Sequence, residues 1–204
     1  MARKTKEEAE LTRSRILDAA EQVFHAQGVS ASSLQDIAQA AGVTRGAVYW
    51  HFEDKTDVFN AMMERVCLPF EASGEALEQA EPAQALRQLR QHWQLLFEST
   101  VADAQVQRVL TIATSRVEYN DDLKALRDRK LQWQSEHVAL LERALGAARK
   151  AGDIGSGTPL KQAAMGLHAL LDGLLQNWLL QPGAFDLKRT GLRVLDVYLT
   201  GLKG

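Results

Sequence analysis

Apolar side chains recur three and four positions apart along almost the whole chain, and strand-like alternation is nearly absent. That period predicts helix throughout. The first stripe is Ile16, Leu17, Ala20, Val23 and Phe24, preceded by a capping-box spacing from Thr5 to Glu8 and stopped by Gly28. A second helix starts at Ser32 with Gln35, or at Ser33 with Asp36; its inner face is Leu34, Ile37, Ala38 and Ala41, and Gly42 ends it. Thr44 can cap a short third helix, and Asp54 and Asp57 mark a fourth. After Pro69 the patterns lengthen, with segments over about 82–100, 103–118 and 121–151. The loop 152–157 is the clearest later break. Thr158-Pro159 then restarts a helix in cap-then-proline order, Pro182-Gly183 turns the chain near 180, and Asp186 caps a last helix reaching about 202. The expected class is all-α, with a three-helix module over residues 1–54 and a larger helical domain over 55–204.

The segment around Gly42 carries more information than periodicity alone. With Leu34 placed first in a helix-turn-helix, Ala38 falls where the two helices come closest, Gly42 lands in the turn, and Ile37, Val43 and Val48 fill the shared core. The same 3.6-residue period sends Val48 and Phe52 inward and leaves Gly46 and Trp50 opposite, flanked by Arg45 and Tyr49. That outer face suits a DNA major groove. Arg45 can fork onto a guanine edge, Gly46 lets backbone approach, and Tyr49, Trp50 and His51 can reach phosphates or sugars. Lys55 adds a charge at the next helix start.

Composition and charge narrow this reading. The chain has 204 residues, 46% hydrophobic and 25% charged, enough to bury a substantial core. Its formal net charge is -2, and residues 1–60 hold seven lysines and arginines against nine acids. Such a balance argues against coating nucleic acid without preference, so DNA binding rests on a few placed cations. No apolar run nears the roughly 20 residues that span a bilayer, and the start MARKTKEEAELTR lacks the apolar centre of a signal peptide. The expectation is a cytoplasmic protein without a membrane partner. The single cysteine, Cys67, closes an apolar helical series and is read as core packing, with redox sensing as the alternative.

The last two helices are apolar around most of their circumference, which requires burial on two sides. One side can be the domain core and the other a two-fold partner. The expected dimer contacts are Leu171, Leu175 and Trp178 on the first helix, and Leu195, Tyr198 and Leu199 on the second. Symmetry would then set two recognition helices about 34 to 36 Å apart, one DNA turn, or at a related spacing.

Residues 10–60, including ILDAAEQVFHAQG and SLQDIAQAAGVTRGAVYWHFEDKTDVF, resemble the TetR family of bacterial one-component transcriptional repressors. Similarity to the branch that represses multidrug efflux pumps, the AcrR and MtrR type, extends to LLDGLLQNWLLQPGAFDL at 170–187. Between 75 and 155 the likeness is mostly helical pattern. The resemblance implies an all-α, Ω-shaped homodimer that binds a pseudo-palindromic double-stranded DNA operator. The family's DNA-contacting positions fall on Ser33, Thr44, Arg45, Gly46, Tyr49, Trp50, His51 and Lys55. Arg3, Lys4 and Lys6 could form a basic tail on the backbone or minor groove.

Between residues 82 and 180, large apolar groups recur with occasional polar ones, the usual form of a small-molecule site. The candidate effector residues are Trp93, Phe97, Ile112, Arg116, Trp133, His137, His168, Asp172 and Gln176. Trp133 and Asp172 lead, because both sit where the efflux-repressor branch is similar. A buried carboxylate without a basic partner would favour a cationic effector, so the expected ligand is small and either apolar or cationic. Its arrival is expected to shift the fourth helix and spoil the half-site spacing.

No nucleophile elbow, phosphate-cradling glycine loop, HExxH or CxxC spacing occurs, so neither an enzyme nor a cofactor is expected. A metal site from His92, His137 and His168 is the weaker alternative. The recognition helix does not separate a repressor from an activator, nor efflux genes from metabolic ones. Neighbouring genes would.

Overall fold

The computed structural model describes residues 6–118 and 123–203. The capping box expected at Thr5, the tail residues Arg3 and Lys4, and the helix start expected at Asp121 lie outside them. The described residues form helices α1 (Lys6–Gln27), α2 (Leu34–Ala41), α3 (Arg45–His51), α4 (Lys55–Glu78), α5 (Ala85–Ala102), α6 (Ala104–Ser115), α7 (Lys124–Ala151), α8 (Leu160–Leu180) and α9 (Leu187–Gly201). A short 3-10 turn, Pro82–Gln84, precedes α5. The all-α class holds among these residues. None of the helices is long and apolar enough to cross a membrane.

Contacts divide the chain into two units that do not follow chain order. The N-terminal unit joins Met1–Cys67 with Arg108–Asp128, and the C-terminal unit joins Leu68–Gln107 with Arg129–Gly204. Residues 55–67 and 108–128 therefore pack with the helix-turn-helix segment. The reason is apolar: Val58, Phe59 and Met62 of α4, Val109 and Ile112 of α6, and Leu123 and Leu126 share one core with Ile16, Phe24, Ile37, Val48 and Phe52.

Local chemistry sets the helix ends in this unit. Of the two starts open for α2, the chain uses Ser33 with Asp36. Asp36 N–H donates to Ser33 Oγ at 3.2 Å and Ser33 N–H donates to Asp36 Oδ2 at 2.9 Å, a reciprocal capping box. These bonds, the Ser33 side chain first, hold the Asp36 carboxyl below the ordinary aspartate range. Gly42 closes α2 in the left-handed region at φ 63°, where a side chain would be strained. Thr44 caps α3 by accepting from Ala47 N–H at 3.1 Å. Arg15 fastens α1 to the end of α2, donating to the Ala41 carbonyl at 2.8 Å.

A charged residue lies inside this apolar unit. Glu21, 1% exposed, sits on the buried stripe of α1 and is held by Arg65 of α4 and by Arg108 of α6 at 3.1 Å; Arg65 also pairs with Asp18 at 2.8 Å. One carboxylate thus ties three helices. The far end of α6 is tied as well, because Val29 N–H donates to the Arg116 carbonyl at 2.8 Å.

In the C-terminal unit Leu89, Trp93, Phe97, Leu141, Leu145, Leu167 and Leu195 are fully buried. Gly191 of α9 lets α5 come close, since the Phe97 ring fills the space a Cβ would need there. α4 runs through Pro69, whose exposed ring forfeits one backbone bond without ending the helix. Thr158 does not cap α8: its hydroxyl donates to the Leu202 carbonyl at 3.3 Å, and Gly155 N–H donates to the same oxygen at 2.8 Å. Asp186 does cap α9, accepting from Arg189 N–H at 2.9 Å.

Candidate nucleic-acid interface and effector site

The α3 helix divides by period into a sealed and an open face. Val48 and Phe52 are buried, Tyr49 is 48% exposed and Trp50 71% exposed. Arg45 lies on the open side with them, its guanidinium donating to Tyr49 Oη at 3.0 Å and lying 5.2 Å from that ring's centre. This pairing pre-orders a long side chain that would otherwise sample many rotamers, and it leaves further guanidinium donors on the fork. Trp50 meets the His51 ring edge-on at 4.5 Å. Gly46 is explained by nothing inside the fold, since an added Cβ would meet only Thr44 Oγ1 at 3.9 Å.

The other expected DNA contacts are engaged in the fold. Ser33 Oγ donates to Asp36 Oδ2 at 2.7 Å, completing the cap. Thr44 Oγ1 is exposed and accepts from Ala47. Lys55 is a strut: Nζ donates to the carbonyls of Ser30 at 3.0 Å and Ser32 at 2.8 Å, bracing the α1–α2 turn. The outward group is therefore Arg45, Gly46, Tyr49 and Trp50, with His51 half-buried beside them.

The nine candidate effector residues split between the two units. Ile112 is fully buried in the core of the N-terminal unit, and Arg116 is exposed there with its carbonyl bonded to Val29. Trp93 and Phe97 are fully buried in the C-terminal unit, their rings edge-on at 5.9 Å. Asp172 is half-buried on α8 and accepts a bond from the neutral amide of Gln176.

His137 and His168 come together with two groups that sequence reasoning did not select as effector contacts, His92 and Ser73. His137 Nδ1 and His168 Nδ1 are 3.0 Å apart, and Ser73 Oγ is 2.6 Å from His92 Nδ1. Phe70 stacks on His92 at 3.9 Å, Trp133 stacks on His137 at 5.4 Å, and the rings of His92 and His137 are 5.8 Å apart. Burial pushes His92 down to about 4. Burial, then repulsion from His92 and His168, pushes His137 down to about 3. His168 is lowered by burial against the opposing pull of Asp172. All three rings are neutral at pH 7. Among the described residues no three histidine, cysteine or acidic groups are arranged to hold a metal ion.

Four of the six expected dimer contacts are covered within the single chain. Leu171, Trp178, Leu195 and Leu199 are each below 8% exposed within the single chain, and Trp178 Nε1 donates to the Phe185 carbonyl at 3.1 Å. They belong to the protomer's own core, because the helices around them consume their apolar surface. Leu175 and Tyr198 are half-buried, Tyr198 Oη donating to the Ala163 carbonyl at 3.1 Å. The apolar side chains left open on α8 and α9 are Met165, Leu180 and Val197.

Two family models match the chain: bacterial regulatory proteins, tetR family, over residues 16–62, and MAATS-type transcriptional repressor, C-terminal region, over residues 84–203. The chain is 34% identical over 187 residues to the HTH-type transcriptional regulator TtgR of Pseudomonas putida, spanning 92% of this chain and 89% of that one. Among solved structures it is similar to NalD, the secondary repressor of the MexAB-OprM multidrug efflux pump in Pseudomonas aeruginosa, with 36% identity, a TM-score of 0.86, and 97% and 98% of the two chains covered. It is also similar to the SmeT–triclosan complex, with 35% identity, a TM-score of 0.83 and coverage of 94% and 91%. SmeT is the repressor of the Stenotrophomonas maltophilia multidrug efflux pump SmeDEF.

Proposed function

Because this chain belongs to the TetR family of bacterial transcriptional regulators, we propose that it is a cytoplasmic repressor of a multidrug efflux operon. It binds a pseudo-palindromic operator as a homodimer, and a small apolar effector releases it. The observation that carries the DNA reading is the divided α3 helix: Val48 and Phe52 lock it into the core while Arg45, Tyr49 and Trp50 face outward. A rigid helix with an ordered guanidinium and exposed aromatic rings suits base-edge and phosphate contacts. Gly46, with open space beside it, supports close approach of an outside partner.

The efflux target is supported by NalD and SmeT, both repressors of efflux pumps, and a small-molecule effector by the SmeT–triclosan complex. Met165, Leu180 and Val197 support pairing through α8 and α9 with a second copy, since exposed apolar groups on neighbouring helices gain by burial. Release needs a coupling of only about 1 to 3 kcal/mol between effector and operator sites.

The test is fluorescence anisotropy with labelled DNA from the region upstream of the protein's own gene, titrated with and without a panel of apolar and cationic drugs. Tight, saturable binding that weakens with at least one drug is expected. An operator affinity unmoved by every compound at saturation would remove the effector switch.

A further inference from the structure

A surface groove of about 410 Å3 lies where Arg90 of α5 meets the first half of α9. Leu192, 6% exposed, is its apolar part. Four cations line it, Arg90, Lys188, Arg189 and Arg193, against two carboxylates, Asp186 and Asp196. All of these residues belong to the C-terminal unit, and none of the candidate effector residues is among them.

Both carboxylates are already engaged. Asp196 accepts from Arg90 Nε at 3.2 Å. Asp186 caps α9 through Oδ1, and its Oδ2 stands 4.0 Å from Arg189 Nε. Lys188 is answered by Glu98 of α5, outside the lining. Arg193 is exposed and has no ion pair or side-chain hydrogen bond among the described residues. The guanidinium groups of Arg90, Arg189 and Arg193 thus keep N–H donors that no protein acceptor uses. Their arrangement also runs against local stability. Arg189 and Arg193 are one turn apart on α9, where like charges repel, and Lys188 and Arg189 stand in that helix's first turn, where a cation opposes the helix dipole. Arg189 gains no packing in return, its side chain being 86% exposed. Local rules broken together at one place mark a residue set kept for something other than the fold.

We propose that this groove binds the phosphate monoester of a small soluble molecule, held by Arg90, Arg189 and Arg193. An anion placed among the three guanidinium groups turns their mutual repulsion into shared attraction, and it suits the positive end of α9. A phosphate monoester carries about two negative charges at neutral pH and presents three terminal oxygens, so more than one planar fork can engage it at once. A carboxylate offers two oxygens and one charge. The groove's volume leaves room beside the phosphate for an organic part, which Leu192 can contact. This site is separate from the α3 face and from the histidine cluster, and it depends on neither the operator nor the effector reading.

The test is isothermal titration of the full chain, in phosphate-free buffer of low ionic strength, with glycerol 3-phosphate, dimethyl phosphate and glutarate. Glycerol 3-phosphate should bind saturably, one molecule per chain, and roughly tenfold or more tighter than either of the others, the worth of one charge-assisted hydrogen bond. Arg193→Gln should weaken it by a similar factor while the thermal melt stays in place, and Arg189→Gln serves as a second variant. Lys161→Gln removes the same charge from an exposed lysine of α8 outside the groove and should leave the affinity unchanged. An equal loss in Lys161→Gln would mean diffuse attraction to the surface and overturns the proposal. So does a lack of saturable binding, or glutarate binding as tightly as glycerol 3-phosphate. Vesicles containing phosphatidic acid form a further arm: capture of the chain by them, with no binding of glycerol 3-phosphate, would place the phosphate on a membrane and overturn the soluble ligand.

Discussion

The two units of this chain set rings and histidines in opposite ways. On α3 the rings of Tyr49 and Trp50 stand in solvent beside Arg45, whose guanidinium already has a partner in Tyr49. In the C-terminal unit Phe70, Trp133, His92, His137 and His168 enclose one another, and two ring nitrogens have none. An exposed surface can keep its polar groups hydrated until a large polyanion displaces the water, so it bears no standing penalty. A buried cluster bears its penalty at all times. The same residue types thus stand in two environments, separated by burial.

Acid should break this comparison most strongly. In the unfolded chain His92 and His137 take up protons near 6.5, whereas in the folded chain they do so only near 4 and 3. The unfolded state binds more protons across that interval, so stability is full above about pH 6.5 and falls as pH drops toward 4. Thermal melts followed by circular dichroism from pH 7.5 to 4.5 should show a steadily falling Tm. In His137→Phe the slope should be shallower. A Tm independent of pH over this range would mean the rings are not buried and neutral.

Within the N-terminal unit, Arg108→Ala should leave the buried Glu21 carboxylate with one fewer cation. The expected loss is about 2 kcal/mol, less than for a wholly orphaned charge because Arg65 remains. Urea unfolding should show a lower midpoint with an unchanged slope. Arg45→Ala and Trp50→Ala should do the reverse, leaving the melt unaltered and weakening operator binding by about 1 to 3 kcal/mol each. Arg45→Ala should also relax the preference at one base pair. A uniform loss over all sequences would make Arg45 a phosphate anchor.

Gly46→Ala sharpens the contrast with the smallest effect. Space beside Gly46 admits the methyl group, and alanine favours helix, so stability should rise by up to about 0.5 kcal/mol. Operator affinity should nonetheless fall. Parallel measurement of melting and anisotropy on this variant separates a residue kept for the fold from one kept for a partner.

Much of the N-terminal architecture was legible because local rules agreed there. Ser33 with Asp36, Gly42 and Thr44 announce their caps in sequence, and the period of Val48, Phe52 and Trp50 assigns each a face. The bracing role of Lys55 was not legible because its two carbonyl partners, Ser30 and Ser32, lie more than 20 residues earlier, and no periodicity encodes that reach. Glu21 did leave a signal: it stands one turn from Leu17 and from Phe24, a charge on an apolar stripe that calls for cations from neighbouring helices.

The C-terminal unit was less legible, since its helices pack through contacts far apart in sequence. Spacing could not say that Ile112 belongs with α1 and α4, nor that Leu171 and Leu195 are consumed internally while Met165 and Val197 stay open. Apolarity on several faces of α8 and α9 called for more than one covered side without telling which residues cover which. The histidines were noticed singly. Their meeting, and the burial of two Nε2 atoms without a partner, needed coordinates.

The central claim is that paired copies of the α3 face read DNA across a two-fold axis. Hydroxyl-radical footprinting of the purified chain on its own upstream region tests it most directly. Two protected half-sites should appear on one face of the duplex, separated by about one helical turn or a related spacing, and both should vanish together in Trp50→Ala. A single unpaired patch of protection, or a footprint that Trp50→Ala leaves intact, would contradict it.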